Sequence, residues 1–144
     1  MLAPSSSPAA TAVHALAQPL AGGRMLTPSR LQQAMETAHG APAASGCWSW
    51  RDAYDAVEAA FLIHVPTLIT GSDSDAARLA ALTAALRKLP TQTRRSEEQI
   101  RLQQFSTPVP YAFIAARAAA IEPGDAVMEP SAGIGALAAF AKLE

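Results

Sequence analysis

The 144-residue sequence has little of several features that mark common classes of protein. Its one cysteine, Cys47, excludes an intramolecular disulfide and a cysteine-cluster metal site, and a reducing, cytoplasmic compartment is the simplest interpretation. No apolar run approaches the roughly 20 residues of a membrane span, and the first residues lack the basic start and apolar core of a secretion signal. We therefore predict a cytoplasmic protein without a membrane contact.

An excess of charge of one sign is also missing. Eleven basic and twelve acidic residues give a net charge of −1, so the composition gives no reason to expect a basic nucleic-acid surface over the whole chain. The histidines at positions 14, 39 and 64 have no paired spacing, and no metal site is predicted. Hydrophobic residues make up 50% of the chain, and many are alanine, which favours a globular, helical protein.

Three stretches in the first two thirds carry the signals of amphipathic helices. Residues 27–40 begin with a threonine cap followed by proline, and a glycine ends them. Residues 49–66 begin with a serine and an aspartate at capping-box spacing, and a Val-Pro pair breaks their pattern, whereas residues 75–89 carry leucines at near-heptad spacing. We predict a helical bundle over residues 25–92, preceded by a mobile arm, residues 1–24, rich in proline, serine and alanine.

The carboxyl-terminal third carries the most informative pattern. A threonine-proline pair at 107–108 starts a helix that continues to about residue 121 and is apolar nearly all round. A Pro-Gly-Asp turn then leads to a short strand, residues 126–129, which ends in a carboxylate, and glycines at 133 and 135 open another helix. A nucleotide-type cofactor needs such a loop, because the chain must turn sharply and its backbone must approach the ligand.

A single strand of the parallel type cannot satisfy its backbone or bury both of its faces. We therefore predict a mainly α-helical chain, in which the bundle leads into the first strand and helices of a truncated Rossmann-like (α/β) domain. The glycine loop feeds a helix of fewer than ten residues, so we expect the chain to be the front piece of a longer protein. In this piece the strand should be disordered, swapped or paired with another copy, and a homo-oligomer can form through it or through the bundle.

Two sequence blocks carry a resemblance to a known family. Gln-Phe-Ser-Thr-Pro at 104–108 and Val-Met-Glu-Pro-Ser-Ala-Gly-Ile-Gly at 127–135 resemble the opening of S-adenosylmethionine-dependent DNA adenine-N6 methyltransferases. The Arg-Arg-Ser-Glu-Glu-Gln lead-in at 94–99 is similar to plasmid-borne methylase–helicase fusions with a strawberry-notch-type helicase region. The resemblance covers about a third of the chain and implies that residues 93–144 are the truncated start of a methyltransferase domain.

The resemblance implies a site for S-adenosylmethionine in the full-length parent, with weak or absent binding by this chain alone. Glu129 would accept hydrogen bonds from the cofactor's ammonium group, and Ser106 and Thr107 would serve its carboxylate. The amides that open the next helix would favour the same carboxylate, and Phe105 would wall the adenine. The predicted cofactor-binding residues are Phe105, Ser106, Thr107, Glu129, Pro130, Ser131, Ala132, Gly133 and Gly135.

Each of these residues also has a simpler interpretation. Thr107 is sufficient as a helix cap, Glu129 can be a solvated carboxylate, and the glycine pair can serve only to turn the chain. Ile134 departs from the threonine or cysteine that such loops often carry. A dinucleotide-binding enzyme is less favoured, because the loop lacks the G-x-G-x-x-G spacing.

The motif that would decide activity is absent from the sequence. Methylation of an exocyclic amine needs an Asp/Asn/Ser-Pro-Pro-aromatic motif, which holds the target amino group and stacks on the flipped base. We therefore predict no catalytic residue in this chain, no methylation of DNA by it alone, and contact with DNA only through the remainder of the parent. The alternative is that the helical bundle is an interaction or docking module of a larger methylase–helicase protein and has no activity of its own.

Overall fold

The computed structural model describes residues 7–94, 97–101 and 105–143. Within these ranges the chain forms α-helices and one short 3-10 turn, so the predicted mainly α fold is confirmed. No described helix is both long enough and apolar enough to cross a lipid bilayer. The elements are α1 (Pro8–Ala21), α2 (Pro28–His39), the 3-10 turn (Ala43–Ser45), α3 (Trp50–Ile69), α4 (Asp75–Leu86), α5 (Glu97–Arg101), α6 (Val109–Ala119) and α7 (Ala136–Ala141).

The first three α-helices form a bundle in which α1 packs on both α2 and α3, and α3 is the longest of the described helices. Helix α4 packs on α3, α6 packs on α4, and α7 packs on α6. Burial of one large apolar side chain stabilises the fold by about 1.5–3 kcal/mol, so a shared core holds these elements together. The largest fully buried side chains are Leu16, Leu26, Leu31, Met35, Val57, Phe61, Val65, Leu82 and Phe140.

Side-chain caps fix the starts of the bundle helices. The Thr27 hydroxyl accepts a hydrogen bond from the Arg30 amide at 3.2 Å. Ser49 and Asp52 form a reciprocal capping box, in which the Ser49 hydroxyl accepts from the Asp52 amide at 3.3 Å and the Asp52 carboxylate accepts from the Ser49 amide at 2.7 Å. These contacts satisfy amides that the first turn of a helix leaves unpaired. The helix starts predicted at Thr27 and Ser49 are confirmed.

The prediction of a mobile arm over residues 1–24 is wrong for the part that the structure describes. Residues 8–21 form helix α1, which packs against α2 and α3. Leu16 and Leu20, one turn apart, are buried in the core. Pro19 lies inside the last turn, where it is itself buried, so the packing of this face outweighs the one backbone hydrogen bond that proline removes.

Proline also misled the prediction for α3. The helix passes through Val65-Pro66 and ends at Ile69, with the Val65 side chain in the core. The amide of Thr70 still reaches the Pro66 carbonyl at 3.0 Å, so the turn that follows the proline keeps its hydrogen bond. Helix α4, in contrast, ends at Leu86, three residues before the predicted Leu89.

The strand predicted over residues 126–129 does not form. The segment has no regular secondary structure, and the described part of the chain contains no strand that could pair with it. Val127 and Met128 are consequently 51% and 86% exposed. A strand requires hydrogen bonds from a neighbour, which local sequence cannot supply. Assignment of residues 93–144 to a Rossmann-like domain, and pairing of this segment with another copy, stay predictions.

Two contacts join α6 to α4 and to α7. Arg117 of α6 pairs with Asp75 at the start of α4, with 2.9 Å between Nε and Oδ2. Phe113 of α6 and Phe140 of α7 meet edge to face, with their ring centroids 5.5 Å apart. These contacts hold α6 against α4 and α7 against α6, and the first residues of α7 line a cavity that α3 also borders.

Candidate cofactor-binding site

The two sequence blocks that carry the predicted cofactor residues lie on one cavity of about 880 Å³. Sites for small molecules commonly have volumes of about 300–1,000 Å³. Gly135 is the one predicted residue that does not line it. The predicted residues that do are Phe105, Ser106, Thr107, Glu129, Pro130, Ser131, Ala132 and Gly133.

The backbone conformation of the loop explains both glycines. Gly133 and Gly135 have φ angles of +51° and +79°, in the left-handed region that side chains other than glycine disfavour. The Gly135 amide donates to the Ala132 carbonyl at 2.6 Å, which closes the turn into α7. A Cβ atom on Gly135 would meet no other group within 4 Å, so the turn, rather than a close protein neighbour, accounts for this glycine.

Glu129 is bound to the start of α7. Its Oε2 atom accepts a hydrogen bond from the Ala138 amide at 3.0 Å. A carboxylate in the first turn of a helix pairs with unbonded amides and is favoured by the helix dipole. The amides of α7 were expected to receive the cofactor's carboxylate, but this carboxylate from the protein already occupies that end. The structure therefore gives Glu129 a capping role, and its role as a cofactor ligand stays a prediction.

Thr107 does not cap α6, which corrects the simpler interpretation of this residue. The helix begins one residue later, with Pro108 as its N-cap and no side-chain cap bond. Tyr111 and Ala112 donate their amides to the Pro108 carbonyl at 2.9 and 3.1 Å. Thr107 is exposed and lines the cavity instead, beside the half-exposed ring of Phe105.

A polar stripe on α3 forms another wall of the cavity, and sequence reasoning missed it. Arg51, Tyr54 and Asp55 line the cavity, together with Gln92 and Gln99 from later in the chain. Positions 51, 54, 55 and 58 follow the i, i+3, i+4, i+7 spacing of one helix face. A polar face at this spacing, opposite the apolar face of the same helix, is the signal that would have identified the wall from sequence.

Tyr54 fixes the segment that follows α4 against this wall. Its hydroxyl oxygen accepts hydrogen bonds from the amides of Thr93 and Arg94, at 3.2 and 3.1 Å. The Arg94 guanidinium lies over the Trp50 ring, 4.1 Å from its centroid, and the Trp50 and Tyr54 ring centroids are 6.0 Å apart. A cation over an aromatic face is held by the charge distribution of the ring. These contacts keep Gln92 beside α3.

The carboxylate of Glu58 links α3 to the first predicted block. The Gln92 side-chain amide donates a hydrogen bond to Glu58 Oε1. Burial, the largest influence, raises the pKa of Glu58, while hydrogen bonding by Ser106 and Gln92 lowers it and the nearby Asp55 raises it. Ser106 therefore touches the bundle as well as the cavity.

Asp55 stands at the cavity wall in a half-buried position. Burial is the largest influence and raises its pKa, Arg51 one turn earlier lowers it, and Asp52 raises it. Withdrawal from water disfavours the charged form of a carboxyl group, so a positive charge beside Asp55 would be favourable. Within the described residues, no three His, Cys, Asp or Glu side chains form a group that could hold a metal ion.

Comparisons with protein-family models, with curated proteins and with solved structures found no match. The cavity, its lining residues and the sequence motifs are therefore the observations that bear on function.

Proposed function

We propose that this chain contributes one part of the S-adenosylmethionine pocket of a DNA adenine-N6 methyltransferase, whose remaining parts supply catalysis and contact with DNA. One observation carries the proposal. Residues 105–107 and 129–133 are more than twenty positions apart in sequence, yet they line the same cavity. The sequence motifs predict that both blocks bind the same cofactor.

The chemistry of the lining supports a cationic cofactor with an aromatic base. Phe105 is 49% exposed at the cavity and offers a ring face or edge to adenine. Asp55 and Glu129 contribute two negative charges against the one positive charge of Arg51, counted over the described lining residues. S-adenosylmethionine carries a net positive charge at neutral pH, so this balance attracts it.

The proposal assigns no catalytic residue to this chain. The sequence lacks the Asp/Asn/Ser-Pro-Pro-aromatic motif that holds a flipped adenine, so we expect no transfer of labelled methyl groups to DNA by the purified chain. Methyl transfer above that of a heat-denatured sample would contradict this expectation.

Binding is tested by titration of the isotope-labelled chain with S-adenosylhomocysteine, followed through its amide chemical shifts. Because both blocks line one cavity within this chain, we now expect weak but measurable binding by the chain alone, with a dissociation constant of about 1 mM or tighter, which corresponds to about −4 kcal/mol. The largest shift changes should occur in residues 105–107 and 129–133. An absence of shift changes at several millimolar ligand, or changes confined to another face, would contradict the proposal.

Two substitutions locate the ligand within the cavity. Thr107→Val removes a hydroxyl without a change of shape and should weaken binding several-fold, whereas Thr67→Val on the exposed face of α3 should leave it unchanged.

Glu129→Gln retains an oxygen that can accept from the Ala138 amide but removes the charge. If Glu129 also contacts the ligand, this variant should bind S-adenosylmethionine more weakly while its spectrum shows an intact α7.

The second candidate function is a docking module without enzymatic activity. The leucine stripe of α4 was one candidate for the contact surface, but it belongs to the core: Leu82 is buried, and Leu79 and Leu86 pack against the same cluster. Among the described residues, six of the nine large apolar side chains that are exposed lie in the carboxyl-terminal region, including Tyr111 and Ile114 on α6 and Val127 and Met128 in the extended segment. This distribution favours association through the carboxyl-terminal region.

Sedimentation velocity over a range of concentrations tests this candidate in the form of self-association. If the extended segment pairs with that of another copy, the wild-type chain should form dimers as concentration rises, and Met128→Asp should remain monomeric. A matched substitution on the bundle, Met25→Asp, at a side chain 66% exposed, should leave the dimer intact. A wild-type chain that is monomeric at every concentration would remove the support for pairing.

A further inference from the structure

The amino-acid end of the proposed cofactor needs a partner for each of its two charges. Its carboxylate was expected at the amides that open α7, but the Glu129 carboxylate is bound there through the Ala138 amide at 3.0 Å. A second carboxylate at the same place would be repelled by the first. Ser106 and Thr107 offer the ligand carboxylate neutral hydroxyls, and no described residue of the two blocks that lines the cavity is basic, so a positively charged partner must come from elsewhere on the cavity.

The α3 wall carries a pair of opposite charges on the same cavity. Arg51 and Asp55 lie four residues apart on one helix face, and both line the cavity that the two predicted blocks share. Residues four apart in a helix are about 6 Å apart along its axis and on the same face, so the long arginine side chain and the aspartate can converge on two groups that share one α-carbon. An arginine fork binds carboxylates with two parallel hydrogen bonds, and a carboxylate binds an ammonium with charge-assisted ones.

A more specific assignment, of a subsite within the cavity, rests on the proposed function. We propose that the Arg51–Asp55 face of α3 is the subsite for the amino-acid end of the cofactor, with Asp55 accepting hydrogen bonds from its ammonium group and Arg51 donating to its carboxylate. The helical bundle then belongs to the cofactor site rather than being only a neighbour of it.

The electrostatics around Asp55 support this assignment. Its carboxyl group is half-buried, with Arg51 as a favourable neighbour and Asp52 and Glu58 as unfavourable ones. Burial raises the pKa of Asp55 above its usual range, so the charged form lacks stabilisation that water would give. An ammonium group in the cavity would supply that stabilisation. The Arg51 guanidinium has other interactions in the protein, and the assignment requires only that it also reach the ligand.

The assignment predicts a preference among nucleoside ligands. S-adenosylhomocysteine has the complete amino-acid end, whereas 5′-methylthioadenosine has the same base, ribose and sulfur without it. Loss of one charge-assisted hydrogen-bond partner corresponds to about a tenfold loss of affinity. The α3 wall should therefore favour S-adenosylhomocysteine, and substitutions in it should affect that ligand alone.

The test is the titration of the full chain and its variants with both ligands, monitored by amide chemical shifts. Wild type should bind S-adenosylhomocysteine at least tenfold more tightly than 5′-methylthioadenosine. Asp55→Asn and Arg51→Gln should each weaken S-adenosylhomocysteine binding about tenfold and change 5′-methylthioadenosine binding less than twofold. The control variants Asp73→Asn and Arg87→Gln, at exposed positions that do not line the cavity, should bind both ligands as the wild type does.

A third ligand separates the two charged residues. Decarboxylated S-adenosylmethionine retains the ammonium group but has no carboxylate, so Asp55→Asn should weaken its binding about tenfold while Arg51→Gln should leave it within twofold. The same tenfold loss for Arg51→Gln with this ligand would overturn the assigned role of Arg51.

The remaining outcomes distinguish failure of the α3 subsite from failure of the proposed function. If the wild type binds neither nucleoside, the proposed function itself fails. If the wild type binds both equally, or if Asp55→Asn binds S-adenosylhomocysteine as tightly as the wild type with an unchanged spectrum, the cofactor site stands and the α3 subsite is overturned.

Discussion

The bundle of α1, α2 and α3 and the segment from residue 105 to residue 143 are built in different ways. In the bundle, helices of 12 to 20 residues begin at hydroxyl side chains that cap them, and each buries one face. In the carboxyl-terminal segment, helices of 11 and 6 residues begin at Pro108 and Gly135 without a cap bond from the N-cap side chain, and an extended stretch leaves Met128 86% exposed. Local signals specify the first region, whereas loops and contacts with other elements shape the second.

This difference has a functional counterpart. A bundle with its own caps and core can serve as a rigid support, and the walls that it offers to a ligand keep their geometry. The second region supplies backbone turns at Gly133 and Gly135 and a carboxylate that is bound to α7. The candidate site lies where the two regions meet, with α3 on one side and the two predicted blocks on the others.

Removal of the largest side chain at the centre of the bundle should have the largest effect. Phe61 has no solvent-exposed surface, so Phe61→Ala should lower the free energy of unfolding by about 3–5 kcal/mol through lost burial and a residual cavity. Urea denaturation followed by circular dichroism measures this change. Ile63→Ala, two residues away on the same helix but 54% exposed, should stay within about 0.5 kcal/mol of wild type. Equal losses in the two variants would mean that α3 is not oriented as described.

A substitution in α1 tests whether the first helix belongs to the bundle. Leu16 is 1% exposed, so Leu16→Ala should lower the free energy of unfolding by about 2–5 kcal/mol. Ala15→Ser, at the neighbouring exposed position, should change it much less. If residues 8–21 were a mobile arm, both variants would have the same free energy of unfolding as the wild type. Helix α1 would then not belong to the bundle.

Sequence alone identified what local chemistry decides. The starts of α2 and α3 followed from Thr27 and from the Ser49–Asp52 pair, because a cap and its amide lie three residues apart in the chain. Pro19 and Pro66 misled the prediction, because burial of Leu16 and Val65 outweighs what proline costs locally. Packing is a property of the assembled helices, and no local pattern contains it.

The sequence predicted one part of the candidate site and missed another part for the same reason. Motifs indicated Ser106, Thr107 and the loop around Gly133, which line one cavity. The α3 wall escaped prediction because Arg51 and Asp55 are about fifty residues from the first block and meet it only after the chain folds back. Residues 126–129 were expected to lack an ordinary sheet in this chain, and the structure gives them no regular secondary structure, since the pairing partner of a strand cannot be read from the strand itself.

Removal of the Ser49 cap should have an intermediate effect on the free energy of unfolding. Ser49→Ala removes the hydroxyl that accepts from the Asp52 amide at 3.3 Å and should lower the free energy of unfolding by about 1 kcal/mol. Ser29→Ala, at an exposed position in the first turn of α2, is the control and should change it by a few tenths at most. Thr107→Ala should behave like that control, because Thr107 does not cap α6. A loss near 1 kcal/mol for Thr107→Ala would contradict this difference between the regions.

The smallest effect concerns the contact between the regions, at Glu58. Its pKa is raised above its usual value of 4.5, chiefly by burial, so the folded protein binds this proton more tightly than the unfolded chain does. The stabilising contribution of the protonated form is therefore complete below pH 4.5 and is lost as the pH rises through the higher pKa of the folded state. Glu58→Gln has no such proton, and Asp55 gives both proteins a pH dependence of the same direction.

The difference in unfolding free energy, wild type minus Glu58→Gln, should accordingly fall as the pH rises above 4.5 and level off once the pH exceeds the higher pKa of the folded state, as measured by urea denaturation at a series of pH values. Ser106→Ala is the informative companion, because hydrogen bonding by Ser106 lowers the pKa of Glu58. Without that hydroxyl the pKa should rise further, so the decline should extend to higher pH. A difference that increases with pH would mean that Ser106 and Gln92 stabilise the carboxylate more than burial disfavours it. The two regions would then be joined by a charged hydrogen-bond network rather than by a carboxyl group that holds its proton more tightly on folding.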